Sequence, residues 1–303
     1  MRIASSQFQG TMIRGLEFNQ TNIAHLDEQM ASGNKLLLPS DDPVTNVRLS
    51  RLTREEAIVS QYRDNIGAIK IRLTKNETFL TGMTNDIIQV HDLMVWAKDG
   101  SNSGADLGSM VNSLSALRDS LFFSANERDQ EGRYLFSGTL TNTPAITYDN
   151  TQPIGARYSF TGNTGQQLVT VGNGVTQPAN VDVSGLETFL NQLDTTINEL
   201  KQPGVTPNTP TLVAALDANM AGADNTLSLI SGKVADFGGV QNILSTLDGN
   251  HANVSLANQT AMTDLGQLDY GLAATQLNGY TLALQSSYKA YSKISQLSLF
   301  NVI

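Results

Sequence analysis

Apolar positions along this chain recur at alternating steps of three and four over longer stretches than a compact domain needs. Near the start, Met12, Leu16, Asn19, Ile23, Leu26 and Met30 follow that alternation. Between about 44 and 98, Leu52, Glu55, Val59, Tyr62, Ile66, Ile69, Leu73, Asn76, Leu80, Met83, Ile87, Val90 and Met94 keep it almost without error. A sustained heptad repeat of this kind specifies a long helix in a coiled-coil seam, and about fifty residues give a rod of about 75 Å. Asn19 and Asn76 occupy seam positions where an apolar side chain would stabilise more. A seam asparagine fixes register or partner choice; the alternative is an edge open to water. Towards the end, Tyr270, Leu277, Leu284 and Tyr291 recur at steps of seven, followed by Leu299, Phe300, Val302 and Ile303. Apolar stripes at both termini need partner surfaces. The simplest partner for each stripe is the other, with neighbouring copies covering what remains.

A Gly/Ser/Asn stretch at 99–104 breaks the long helix. A second one follows with Leu107, Met110, Leu114, Leu117 and Leu121 on one face, running to about Gly132. The short link predicts antiparallel neighbours, as in an up-down bundle. From about 138 to 184 the texture changes to Thr, Gly, Asn, Pro and β-branched residues. Two-residue periodicity appears in Arg157-Tyr158-Ser159-Phe160 and Leu168-Val169-Thr170-Val171, with turn chemistry at Gly162-Asn163 and Gly172-Asn173-Gly174. Helix returns at about 184–202, and a Pro-rich link at 203–210 reads as an exposed loop. Helical periodicity then persists, through Leu227, Ile230, Val234, Phe237 and Leu244 and through Val254, Ala261, Leu265, Leu268 and Leu272. Gly238-Gly239 and Asp248-Gly249-Asn250 are expected weak points or breaks. The fold expected is therefore mainly α: an elongated antiparallel bundle or coiled coil of N- and C-terminal segments. A small β-rich domain is inserted in the middle, at the far tip of the paired helices.

Composition narrows what such a chain can do. An apolar fraction of 40% and an aromatic fraction of 6% in 303 residues disfavour one large compact core. A net charge of −9 argues against nucleic-acid or anionic-membrane surfaces, so neither is expected as a partner. The chain has no cysteine, which removes disulfides, thiolate metal sites and cysteine nucleophiles together. No apolar run approaches a membrane span, and the start lacks the apolar core of a cleaved secretory signal.

Candidate chemistry is sparse. His25, His91 and His251 are widely separated and fit no metal-ligand spacing. Asp41 and Asp42 could form a carboxylate pair for a metal or for acid/base work, but a structural role fits better. Asp42 as N-cap with Pro43 at the first helical position is a favoured helix start, and its charge faces the positive end of the helix dipole. The glycine clusters lack a phosphate-loop context, and there is no Gly-x-Ser-x-Gly elbow. No catalytic, cofactor or metal site is expected. The residues singled out are an assembly interface of Met12, Leu16, Ile23, Leu26, Leu277, Leu284, Tyr291 and Ile294, and a cap and turn of Gly33, Ser40, Asp42 and Pro43.

Three motifs carry a family resemblance. The run from Met30-Ala31-Ser32-Gly33 through Pro39-Ser40-Asp41-Asp42-Pro43-Val44 resembles a signature of the flagellin superfamily, in its hook-associated FlgL form. Gly132-Arg133-Tyr134-Leu135-Phe136-Ser137-Gly138-Thr139 and the closing Gln296-Leu297-Ser298-Leu299-Phe300 resemble the same family. The resemblance implies an extracellular junction protein, exported unfolded by the flagellar type III apparatus with the help of an export chaperone. It would self-associate into a ring between hook-associated protein 1 and the first flagellin layer. By carry-over, residues 1–38 and 262–303 form an inner domain, 39–138 and 184–261 a helical rod, and 139–183 the exposed β-domain. Flagellin itself is the nearest alternative. A cytoplasmic signalling coiled coil and an enzyme with a carbohydrate-active β-module are the readings from other classes. The terminal stripes are expected to be disordered in the monomer and ordered in the assembly.

Overall fold

A computed structural model describes residues 2–297, with side chains described from 7 to 293 apart from residue 8. Leu299, Phe300, Val302 and Ile303 lie outside the described residues, as does the side chain of Ile294. Among the described residues, six helices and four short strands follow in the order α1 (Arg2–Ser32), α2 (Pro43–Ala97), α3 (Gly104–Ala125), β1 (Ile146–Tyr148), β2 (Tyr158–Phe160), β3 (Leu168–Gly172), β4 (Val175–Pro178), α4 (Leu186–Leu200), α5 (Pro210–Gly266) and α6 (Tyr270–Leu297). The chain divides into two compact units, 1–59 with 253–303 and 60–252, so that each unit takes part of α2 and part of α5.

In the second unit the heptad of α2 behaves as its spacing predicts. Ile66, Ile69, Leu73, Leu80, Met83, Ile87, Val90 and Met94 are all buried, and Asn76 among them is buried completely. That removes the water-open edge as an account of Asn76. α5 lies antiparallel to α2, tied by Lys98 to Asp217 at 2.5 Å near one end and by Arg63 to Asp248 at 3.2 Å near the other. α3 starts at a capping box, Ser103 with Asp106, whose side chains accept from two of the backbone donors a helix start leaves unpaired. It folds back along α2, where Ser120 donates to Asp86 at 2.7 Å. α4 completes the bundle: Arg118 of α3 meets its Asp194 at 3.2 Å, and its Thr196 donates to the carbonyl of Ala215 in α5 at 3.3 Å.

Three expectations need correction. α5 is continuous through Gly238-Gly239 and 248–250. None of these glycines has positive φ, and Phe237 and Leu244 are buried around them; that burial outweighs a glycine cost of about 1 kcal/mol each. α3 ends at Ala125 and not near Gly132, because the side chain of Asn126 turns to pair with β1. Its Nδ2 donates to the Ile146 carbonyl at 2.8 Å and its Oδ1 accepts from the Ile146 amide at 3.1 Å.

The β region lies along the flank of the helices and not at their tip. The β1–β2 hairpin pairs Ile146 with Phe160 and Tyr148 with Tyr158, and Asn191 of α4 exchanges two hydrogen bonds with the Tyr158 backbone. The β3–β4 hairpin hangs on α2 and α5: Asn65 donates to the Thr170 carbonyl at 2.8 Å, and the Val171 carbonyl accepts from His251 Nε2 at 2.8 Å. Strands this short cannot cover themselves. They fill the side of α2 and α5 that α3 and α4 cover further along, and Phe136, Ile146, Tyr158 and Val171 join the helical core. Gly138 shows how closely the approach to this region packs. Its φ is +68°, and a Cβ there would stand 2.0 Å from the Asn163 carbonyl oxygen.

Candidate assembly interface

The first unit is built on the pairing of α1 with α6. Met12, Leu16, Asn19, Ile23 and Met30 are half-buried along α1, and among its described side chains only Leu26 is buried, at 6% exposed. On α6 the inward line is Ala273, Leu277, Tyr280, Leu284, Ser287 and Tyr291, again in steps of four and three. The seven-residue spacing found only part of this line, because Ala273 and Ser287 carry no apolar bulk; alternation of the steps was the signal available. Tyr270 continues the spacing but is 49% exposed, although its hydroxyl donates to the Met30 carbonyl at 3.0 Å. Gln20 reaches the Tyr288 hydroxyl at 3.4 Å, so the two helices run antiparallel.

Two further seam assignments shift by one residue. Glu55 is exposed, and Glu56 takes the inward place, accepting from Ser255 and from Gln259 at 3.1 Å. In α5, Ser255 is buried where Val254 was expected, and Val254 is 39% exposed; Asn258 is buried beyond it, and on α6 Leu272 is 58% exposed. Polar residues therefore line part of this seam, where a hydrophobic count overlooks them.

The cap and turn residues form one structure at the start of α2. Gly33 ends α1 at φ +72°, a conformation that favours glycine. Its carbonyl accepts from the Leu268 amide at 3.0 Å, while the Lys35 amide donates to the Gly266 carbonyl at 2.8 Å. The α1–α2 and α5–α6 links are thereby stitched together through an Asn34–Gln267 bridge. Asp41 accepts from the amides of Leu37 and Leu38, and Asp42 from the amides of Val44 and Thr45 and from the Thr45 hydroxyl at 2.6 Å. The Leu38 amide above all holds Asp41 below the usual carboxylate range, and the Thr45 hydroxyl does the same for Asp42. Both carboxylates are spent on backbone donors, and Pro43 opens α2. Ser40 is exposed.

The pairing of α1 and α6 leaves much apolar surface uncovered. Ile13 is 46% exposed, Phe18 63%, Leu282 65% and Tyr288 49%. Large exposed apolar groups on both helices are the kind of surface that in general serves protein–protein contact. No helix among the described residues is long and apolar enough to cross a membrane.

Comparison with known proteins decides the family. Residues 3–141 match the bacterial flagellin N-terminal helical region. The chain is 29% identical over 318 residues to flagellar hook-associated protein 3 of Escherichia coli (strain K12), covering 100% of this chain and 99% of that protein. A solved structure described as a flagellar hook-associated protein from Vibrio parahaemolyticus is 32% identical, with a TM-score of 0.68, covering 75% of this chain and 100% of that one. The chain belongs to the FlgL family of flagellar hook-associated proteins. The FlgL fold extends to a flagellar junction protein from Legionella pneumophila that is 13% identical, with a TM-score of 0.58 over 72% of this chain and 100% of that one. As a FlgL-family chain it is a structural component of the flagellum, and flagellin itself is the weaker reading.

Proposed function

We propose that this chain is the structural junction protein of the bacterial flagellum, joining hook-associated protein 1 at the hook end to the flagellin filament. The observation that carries the proposal is the seam of the first unit, which stays half-exposed while that of the second unit is closed. Apolar burial contributes roughly 25 cal/mol per Å² before the entropy of ordering is charged. Two helices that share one half-covered seam fall short of that charge, and a ring of copies supplies the missing surface. Residues 1–38 with 262–303 act as the inner assembling domain, 39–138 with 184–261 as the rod, and 139–183 as the outward β-domain. The chain works without catalysis or cofactor. It reaches the cell exterior through the flagellar export apparatus, escorted by an export chaperone.

Gene deletion tests the reading. Electron microscopy should show hooks without filaments and unassembled flagellin in the medium; normal filaments would overturn it. Leu16→Asp or Leu284→Asp should abolish incorporation while leaving the second unit's helicity intact, and normal incorporation of both variants would remove those stripes from the interface.

A further inference from the structure

Two faces of the first unit carry unpaired charges of opposite sign on matching coiled-coil spacings. On α2, Val44, Val47, Arg51, Arg54 and Ile58 follow one another at steps of three and four. Val44 is 64% exposed, Val47 52% and Ile58 46%, and both arginines are exposed, with Arg48 beside them. On α1, Ile13, Glu17, Gln20, Ala24 and Asp27 follow the same alternation, all exposed, with Glu28 on the flank. Among the described residues none of Arg48, Arg51, Arg54, Glu17, Asp27 and Glu28 makes an ion pair.

These are second seams. Each has apolar residues at the heptad positions that flank its charges, as a helix has when it packs against another. Each lies on the side of its helix away from the unit's own core. Two α2 faces laid together would bring arginine against arginine, and two α1 faces would bring acid against acid. Only the crossed pairing joins opposite charges and covers Val47 and Ile58 together with Ile13.

We propose that the arginine-bearing face of α2 receives the acidic face of α1 from a neighbouring copy of this chain. The inference rests on the reading that copies self-associate, and it names the surfaces they use. Because each copy presents one face of each kind, the contact is heterologous, the type that closes into rings or runs on as a filament. Opposed charge also fixes partner and orientation, since a wrong face meets like charge.

The test is sedimentation of the full chain over a range of concentrations and salt. Wild type should associate, and more weakly as salt rises. Arg51→Glu with Arg54→Glu should weaken association roughly tenfold or more, as should Glu17→Lys with Asp27→Lys, and the four changes combined should restore it. Circular dichroism checks that each variant stays helical. Undiminished association of Arg51→Glu with Arg54→Glu would overturn the proposal. So would failure of the four-fold variant to recover, since the arginines would then face some surface other than α1. A wild type that stays monomeric throughout would instead overturn the self-association reading itself.

Discussion

Replacing Asn76 by leucine should stabilise the second unit, although it removes the one polar residue from the middle of that seam. Asn76 is fully buried between Leu73 and Leu80 on the inner face of α2, and neither Oδ1 nor Nδ2 has a protein partner. Burying an amide without hydrogen bonds costs roughly 1–3 kcal/mol by mutational measures. A buried leucine contributes about 1.5–3 kcal/mol. Against this, the extra bulk costs about 1–3 kcal/mol if the seam cannot give. The balance is a gain of about 1–3 kcal/mol, and at about 2–4 °C per kcal/mol for a unit of this size the midpoint should rise by roughly 2–12 °C. The chain's single tryptophan, Trp96, lies in this unit, so its fluorescence reports the transition directly. Urea unfolding should show a higher midpoint with an unchanged slope. A lower midpoint at unchanged slope would refute the reasoning, because the amide would then be stabilising where it sits.

Three other perturbations test separate parts of the molecule. Asp194→Ala removes the carboxylate, 6% exposed, that Arg118 and Arg157 share at 3.2 and 3.4 Å; it should destabilise the second unit by about 3–5 kcal/mol, read by the same fluorescence midpoint, and a loss below 1 kcal/mol would mean the arginines find other partners. Burial pushes the Tyr158 phenol up to about 12, so its contribution is fully present below pH 10 and is lost as pH rises from there towards 12; ultraviolet titration of Tyr158→Phe should lack the last phenol to ionise. Gly33→Ala forces a side chain into positive φ with its Cβ 3.3 Å from the Tyr270 hydroxyl and should cost more than about 1 kcal/mol; hydrogen exchange at Lys35 and Leu268 should quicken, and unchanged protection would show that the turn does not depend on the glycine.

Legibility from sequence followed periodicity. The α2 seam could be read because each inward position carries a large apolar group or an isolated asparagine. The reading slipped at Glu55, where two adjacent glutamates offer no contrast and only the Ser255 and Gln259 donors single out Glu56. On α6 it found Leu277, Leu284 and Tyr291 but missed Ala273 and Ser287, where the partner helix approaches a small side chain. Strands β2 and β3 were visible through alternation and turn glycines. Their placement along the helices was not, since it depends on single bonds such as Asn65 to Thr170 and His251 to Val171, which join residues 105 and 80 positions apart. Asp194 was equally hidden, being one acid in a helix whose arginine partners lie on α3 and beside β2.

The two units spend the same heptad grammar differently. In the second, the seam closes on itself, side-chain amides tie the hairpins down, and a salt-bridged Arg118–Asp194–Arg157 group links α3, α4 and the β1–β2 hairpin. In the first, the seam is half-covered, part of its inner lining is Ser255 and Asn258, and large apolar groups face outward from α1, α2 and α6. A leucine-rich seam there would close the pair and leave a neighbour less to add. On the proposed assembly, a weak seam would make order in this unit depend on other copies, because only surface that is uncovered in the monomer can contribute free energy on assembly. On that proposal, the marginal pairing of α1 with α6 would couple folding of this unit to incorporation.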